Sequence, residues 1–525
     1  MNMQENNNTN WATPVKYAII LLIGLSLGFF LKGTLSFKGL ESDNSVPVKE
    51  IIDLVKSKYV DKLSNDSADL NFVNEYLSQL DPHSLYIAPS ELTDVNDQLM
   101  SNFKGIGIEF QQVRDSIFVA YVLKDGPAYK AGLQVGDILL TANDTLQLSG
   151  KKWDGDAIRA KLKGPANSKL KLLVSSNHKN KVITIERDNV TSSPIDAAYQ
   201  IKPGVGYIRI NKFADRTYEA FMQALEPLIK DSIKGLVIDL RGNGGGLLSE
   251  AVAIADELIP GNKLLVYTQG EHSPRADYYS KREGLFEQGS ITVWMDESSA
   301  SASEVLAGAL QDWDRATIVG RPSFGKGLVQ QQFNLSNGGA LRLTIAKYYT
   351  PLGRNIQRSF ENGKLAYEHD FINRIEEHAA GKMDTIEKGK SYKTPSGKTV
   401  YGGGGIFPDQ WVAGSNIILD SAYSNLLAEN LLNDFVLHWY LKEQHKMKSF
   451  KNSSEFLNVY QKVDIWNALF QYANPKQKNI LKSLEKNKIF LQNQLLASMA
   501  RMQWYKQGYY EVWNRLEGKY LAQLP

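Results

Sequence analysis

The 525-residue chain contains no cysteine. That removes thiol nucleophiles, disulfide frameworks and thiolate metal sites together. It leaves the compartment open, because a cysteine-free chain suits an oxidising space and is equally compatible with a reducing one. An excess of charge of one sign is also lacking: 60 basic residues face 57 acidic ones, a formal charge of +3. Binding nucleic acid by phosphate neutralisation needs a clustered basic face, so that class is excluded. Histidine is scarce, with seven residues at 83, 178, 272, 369, 378, 438 and 445. Apolar content of 43% and charged content of 22% are ordinary, which excludes long disorder. The length suggests roughly three to four domains, and no internal repeat is visible.

What is present begins with a polar, Asn-rich leader, residues 1–16, followed by an uncharged run from Tyr17 to Leu31 between Lys16 and Lys32. Fifteen residues at 1.5 Å rise reach only about 22 Å, short of a bilayer core. With snorkelling lysines and neighbours up to Leu35 it just crosses. The alternative is a secretory signal h-region. No small-x-small cleavage site follows, so the reading is an uncleaved signal anchor over 17–35. It places the protein at the inner membrane, facing the periplasm.

Composition then divides the chain. Residues 46–100 read as helical, interrupted at Leu80-Asp-Pro-His-Ser-Leu-Tyr86, with a restart near Pro89-Ser90. Residues 101–188 alternate short strands (Ile117–Leu123, Leu170–Val174, Lys181–Glu186) with Gly-rich turns. Residues 189–412 mix strands such as Val205–Ile210, Gly235–Leu240 and Ile291–Met295 with helices, an α/β pattern. Within them, Phe360–Gly405 is polar and reads as surface loop. From 413 to 525 the chain is helical, with aromatic residues at three- and four-residue spacing. A packed bundle is its default reading, and a homodimer or adaptor surface is the sharper one.

Two stretches of the second region belong together. In Gly105-Ile106-Gly107-Ile108, alternating glycines leave successive N–H groups free to converge on a carboxylate. The strand that follows offers a free edge to an extended peptide. About twenty residues on stands Gly126-Pro-Ala-Tyr-Lys-Ala-Gly132-Leu-Gln-Val-Gly136-Asp-Ile-Leu139. The combination resembles a PDZ domain. The resemblance implies that Gly105, Ile106, Gly107 and Ile108 bind a peptide's terminal carboxylate, its last apolar side chain packing beside the helix that carries Ile158 and Leu162.

The segment with most chemistry is Ile291-Thr-Val-Trp-Met-Asp-Glu-Ser-Ser-Ala-Ser301-Ala-Ser303-Glu304-Val-Leu306. An apolar strand runs through small residues into a helix, presenting a hydroxyl where free N–H groups and the helix dipole favour developing negative charge. That suits a serine nucleophile with a backbone oxyanion donor. Four serines share six positions, however, and helix capping is an equal use for any of them. A serine needs a base, and no histidine sits in a strand-end motif of this region. Lys326, in Gly325-Lys326-Gly327, is a candidate, because burial lowers an ammonium pKa enough for the neutral amine to take a proton. Gly242-Asn-Gly-Gly-Gly246 follows the strand Leu236–Leu240, but its spacing fits no nucleotide-binding fingerprint.

Ser-Ala-Ser301-Ala-Ser-Glu, Phe-Gly-Lys326-Gly-Leu-Val-Gln330, Asp239-Leu-Arg-Gly-Asn-Gly-Gly-Gly246 and Gly403-Gly-Gly-Ile-Phe-Pro-Asp409 together resemble the C-terminal processing (tail-specific) serine peptidases. The position of the PDZ-like module before the core and the Leu80-Asp-Pro-His-Ser stretch match as well, and the likeness covers about residues 46–412. It implies a multidomain α/β protein with a helical N-terminal segment, a β-rich PDZ domain, a ββα-repeat, crotonase-like Ser/Lys protease core and a helical C-terminal domain. It further implies Ser301 as nucleophile, Lys326 as general base and Gln330 as the amide that steers the lysine. The oxyanion donors become the N–H groups of Ala302 and of Gly245 or Gly246. Gly244 stands where the family often has proline. No metal and no cofactor is implied, and the partners are polypeptides held by their C-termini. A catalytically silent PDZ scaffold is the rival from another class.

Overall fold

The structure, a computed structural model, describes residues 51, 65–150, 153–176, 179–383 and 389–524. The chain separates into two compact units, residues 1–71 and 72–525. The polar leader and the apolar segment 17–35 lie outside the described residues. Among the described residues no helix is long and apolar enough to cross a membrane.

Helix α1 (Asn65–Ser78) ends before Pro82; strand β1 (Leu85–Ile87) and helix α2 (Pro89–Leu99) follow. The helical reading of this region therefore misses a strand. β1 is only three residues long, too short for periodicity to register.

The next elements form the PDZ-like module. They are β2 (Asn102–Gly105), β3 (Ile108–Val113), β4 (Ser116–Val122), α3 (Pro127–Lys130), β5 (Ile138–Ala142), β6 (Leu146–Gln147), α4 (Gly155–Leu162), β7 (Lys169–Ser176), β8 (Lys179–Glu186) and β9 (Asp188–Thr191). Five strands run antiparallel in the order β3-β4-β5-β7-β8, so β3 is an edge strand, while β2 pairs β9. β7 alternates buried Leu170, Leu172 and Val174 with Lys169 and Lys171, the period of a sheet with one wet face. Ile158 and Leu162 of α4 are buried in the module's core.

The core follows: β10 (Ile195–Lys202), β11 (Val205–Ile210), α5 (Thr217–Lys230), β12 (Gly235–Asp239), α6 (Leu248–Asp256), β13 (Leu264–Gly270), β14 (Ser273–Tyr279), β15 (Ser290–Met295), α7 (Ala302–Asp312), β16 (Ala316–Gly320), β17 (Leu328–Asn334) and β18 (Ala340–Tyr349). It continues through α8 (Gly363–Ala379), β19 (Ser391–Lys393), β20 (Thr399–Tyr401) and β21 (Gln410–Trp411). One sheet has the order β10-β11-β12-β15-β16-β21 and is parallel from β11 onward. β12, Gly-Leu-Val-Ile-Asp, is buried at every position, as a parallel strand covered on both faces must be. A second, antiparallel sheet runs β1-β18-β13-β14, with β17 also on β18. α7 is buried on all sides. Its Ala and Gly residues permit this: a Cβ on Gly308 would stand 2.9 Å from Thr350 Cγ2.

Phe360–Gly405 is not the surface loop its polarity suggests. It holds the 17-residue helix α8 and the β19–β20 hairpin. The buried positions of α8 include Tyr367, Arg374 and His378, so the inward stripe is written in polar residues and escapes an apolar count. Arg374 Nη2 donates to Gly404 O (3.1 Å), and His378 Nδ1 lies 2.6 Å from Glu297 Oε1.

The C-terminal helices are α9 (Ser421–Ala428), α10 (Leu431–Ser449), α11 (Ser453–Tyr460), α12 (Ile465–Tyr472), α13 (Pro475–Ser483) and α14 (Lys488–Glu517). They share one apolar core. Trp466 is buried there, while Trp504, Tyr509 and Trp513 pack against the same core. These aromatics are engaged within the chain.

α14 also braces the protease sheet. Asp239, fully buried at the end of β12, accepts from Tyr207 Oη (2.7 Å), Arg209 Nη1 (2.8 Å) and Arg241 Nη2 (2.8 Å). Burial pushes its carboxyl up, but the two guanidiniums and the phenol outweigh this and hold it well below the usual range. Arg241 reaches on to Asn514 (3.2 Å) and Glu517 (3.3 Å) of α14, and Arg209 stacks over Tyr510. Removing the charge would take from two largely buried cations the carboxylate they share, leaving Arg241 with Glu517 (3.3 Å) and Arg209 with Asp196 at 3.9 Å. Asp239→Asn is therefore expected to cost about 3–5 kcal/mol. The check is the urea midpoint followed by tryptophan fluorescence; an unchanged midpoint would refute the assignment.

Candidate active site

β12 and β15 are parallel neighbours, and the chain leaves both at their C-terminal ends, where open α/β sheets place their sites. After β12 comes the Gly242–Gly246 turn; after β15 comes the serine-rich turn into α7. The two turns touch. A Cβ on Gly245 would lie 2.8 Å from Ala302 N and 2.8 Å from Ser301 Cβ, so only glycine permits the approach.

The turn also sorts the four serines. Ser299 Oγ donates to Leu240 O (2.9 Å) and Ser303 Oγ to Asn243 O (2.9 Å), both buried. Ser298 is exposed. Ser301, half-buried at the N-cap of α7, has φ 54° and ψ −115°. This positive φ in a non-glycine residue costs of order 1–3 kcal/mol and marks positions held for function.

Lys326 sits in the connection between β16 and β17, four residues before Gln330, which β17 carries. Lys326 Nζ hydrogen-bonds Gln330 Oε1 (2.9 Å) rather than Ser301 Oγ. Gln330 Nε2 in turn donates to the backbone carbonyl of His83 (2.7 Å), which fixes the amide's orientation. Burial lowers the Lys326 pKa, and Arg342 adds to this, against smaller opposing effects of Asp81 and Glu304. The Leu80–Ser84 stretch is thus part of the site. Asp81 accepts from the N–H groups of His83 and Ser84, both at 2.8 Å, and locks the loop that presents the carbonyl.

Glu304 is the residue that sequence reasoning passed over, although Ser301-x-x-Glu304 is a capping-box spacing. Its carboxylate is fully buried. It accepts from Ser301 N (2.7 Å), Ser323 Oγ (2.6 Å), Gly325 N (2.7 Å) and Lys326 N (2.9 Å). One side chain therefore ties the backbone of the serine to the backbone of the lysine. Burial raises its pKa to about 7, against the lowering effect of these four donors. Tyr348 Oη makes a second tie, 2.6 Å from Lys326 O and 3.2 Å from Ser301 O. Ile406 N, from the Gly403–Asp409 motif, donates to Ser323 Oγ (2.6 Å) and braces the same loop.

Of the expected oxyanion donors, Ala302 is the first residue of α7, where N–H groups lack helical partners. Gly245 N donates to Asn243 Oδ1 (2.9 Å), so it could serve an oxyanion only by sharing. The Gly105–Ile108 turn lies between β2 and edge strand β3, with Gly107 at φ 74°. Ile106 O and Gly107 O accept from Ala128 N and Leu123 N, both at 2.9 Å, which fixes the turn.

Residues 204–362 match the model of peptidase family S41, and residues 118–175 that of the PDZ domain. The chain is 34% identical over 314 residues to a carboxy-terminal-processing protease of Bartonella bacilliformis, covering 59% of this chain and 71% of that protein. It is 30% identical over 358 residues to a "Probable CtpA-like serine protease" of Staphylococcus saprophyticus, covering 67% of this chain and 70% of that one. Among solved structures it is similar to a photosystem II D1 C-terminal processing protease, with 28% identity, a TM-score of 0.35, and coverage of 59% of this chain and 84% of that one.

The chain belongs to the carboxy-terminal-processing proteases of peptidase family S41. It is a serine-type peptidase with a PDZ domain ahead of its core. Glu304 holds the two turns together, and its charge matters because all four of its partners are donors. As pH falls through about 7, protonation replaces an acceptor with a donor and slackens the tie, so kcat should fall. Stability should move the other way. A carboxyl whose pKa rises from 4.5 to about 7 on folding favours the folded state at low pH, and that contribution is lost as pH rises between those values. Glu304→Gln should lower kcat roughly 10²-fold through misplacement, with a smaller change in KM, and should abolish the acid limb near 7. Unchanged kcat and an unchanged pH profile would remove the role.

Proposed function

We propose that this protein is a serine endopeptidase that cleaves polypeptides near their C-termini, with Ser301 as nucleophile, Lys326 as general base and Gln330 as the group that aims the lysine. The observation that carries the reading is the double tie, through Glu304 and Tyr348, between Ser301 and a partly buried lysine whose amine is already oriented by Gln330. A silent scaffold has no use for such an arrangement. The PDZ domain holds the substrate's tail, its carboxylate at Gly105–Ile108. The Ser301 hydroxyl attacks a peptide carbonyl while Lys326, neutral, takes its proton. The Ala302 N–H, with one from the Gly245–Gly246 turn, receives the oxyanion. The lysine then protonates the leaving amine, and water deacylates the serine. Catalytic hydrogen bonds are often long in the free enzyme and tighten with substrate, which accounts for an amine resting on Gln330. The apolar run at 17–35, read as a signal anchor, supports a site for this chemistry at the inner membrane, facing the periplasm.

The decisive comparison offers an unstructured protein to the parent enzyme and to Ser301→Ala. The parent should degrade it and the variant should not, while still binding it; equal degradation by both would dispose of the serine assignment. The dependence of kcat/KM on pH tests the base separately. A base must be neutral to accept a proton, so activity should rise as pH climbs through the lowered lysine pKa. An inflection near the free-lysine value of about 10.4 would refute a buried base.

A further inference from the structure

The outer face of the tail-binding strand is not left to solvent. Among the described residues β3 pairs with no strand other than β4, and Asn430 Nδ2 donates to Gln112 O toward its C-terminal end (3.4 Å). Ile108 and Phe110 pack into the PDZ core, so Glu109 and Gln111 take the opposite face. The register shifts between Glu109 and Phe110, a bulge that brings both Ala120 and Tyr121 of β4 onto that face.

α14 comes to meet them. Arg501 Nη2 lies 2.5 Å from Glu109 Oε2, Tyr505 Oη donates to Glu109 Oε1 (2.7 Å), and the Tyr505 ring stacks on Tyr121 at 3.6 Å and 9°. The helix breaks to make this contact. Trp504 and Tyr505 leave helical geometry, with Tyr505 at φ 55° and ψ −147°. A left-handed conformation in a bulky aromatic residue persists only where its surroundings hold it. Between the two elements lies a cavity of about 330 Å³, lined by Glu109, Gln111, Tyr121, Arg501 and Tyr505 among others.

We propose that this face of α14 is a specificity subsite for the substrate tail, reading the penultimate residue through Arg501. The inference rests on the tail-binding reading above. A peptide added to β3 with its carboxylate at Gly105–Ile108 alternates its side chains. The last one points inward toward α4, and the penultimate one outward onto the Glu109 face. There both Glu109 oxygens are already occupied, so a basic side chain must displace Arg501 or Tyr505. Arg501 is 43% exposed and spends only one of its nitrogens on Glu109. An acidic penultimate residue therefore finds free guanidinium donors, and the subsite favours it over a basic one.

The test measures fluorescence anisotropy of labelled hexapeptides on the full-length Ser301→Ala protein. The peptides differ only in a penultimate Glu, Gln or Lys, and each is made as free acid and as C-terminal amide. Free acids should bind at least roughly tenfold tighter than amides, as for charge-assisted carboxylate capture. Among the acids, Glu should exceed Lys by about fivefold, the scale of a partly exposed ion pair. Arg501→Gln should flatten that order and Arg501→Glu should invert it. Tyr505→Phe keeps the ring stack and frees one Glu109 oxygen, so the Lys peptide should gain. Equal binding of acids and amides would sink the tail-binding reading and the subsite with it. Tail binding that prefers acids to amides, but whose Glu-over-Lys order is absent or survives Arg501→Gln, would sink the subsite alone.

Discussion

A single buried carboxylate sets the geometry on which the site depends. Ser301 belongs to the sheet built around β12 and β15, whereas Lys326 leads into β17 of the antiparallel sheet. Nothing in the local sequence of either makes them neighbours. Glu304 does, by accepting from the N–H of one and the N–H of the other. Because it bonds backbone rather than side chains, Glu304 itself occupies neither the serine hydroxyl nor the lysine amine. The cost is a desolvated charge, visible as a pKa near 7. Four donors offset that cost, because a buried charge is tolerated only when its hydrogen-bonding capacity is met.

The same logic recurs at Asp239, one turn away from the glycines that face Ser301. There the carboxylate is met by two arginines and a tyrosine, and the arginines run on to α14. α14 is therefore in contact with three parts of the chain. Its Arg501 and Tyr505 reach the PDZ strand, Gln507 exchanges hydrogen bonds with both backbone groups of Ala198 on β10, and Asn514 and Glu517 reach Arg241. The break at Trp504–Tyr505 lets one helix serve two surfaces that a straight helix would not meet together.

Much of this was legible in the sequence. The core strands stood out because β11, β12 and β15 are short apolar runs between turn residues. Ser301, Lys326 and Gln330 were singled out through the resemblance of their motifs, and the structure brings the last two into contact. What was not legible has a common cause. Glu304 and Tyr348 act through backbone groups of distant residues, and His83 contributes a backbone carbonyl, none of which a side-chain pattern reports. α8 was hidden because its inward face carries Tyr367, Arg374 and His378, residues that an apolar periodicity count leaves out. Polar groups buried with partners are where sequence patterning fails, since the partner is distant in the chain.

His83 also bears on why a lysine rather than a histidine serves as the proposed base. It lies near Lys326, and burial together with the lysine's charge lowers its pKa to about 4. Its ring nitrogen faces Tyr367 Oη at 3.2 Å. The same desolvation acts on both groups in the same direction. For imidazole, which starts near 6.5, the shift removes useful basicity at neutral pH. For an ammonium that starts near 10.4, it brings the free amine within reach. In a pocket this dry, the stronger base in water is the one that burial brings toward neutral pH, and the histidine is left to offer its carbonyl.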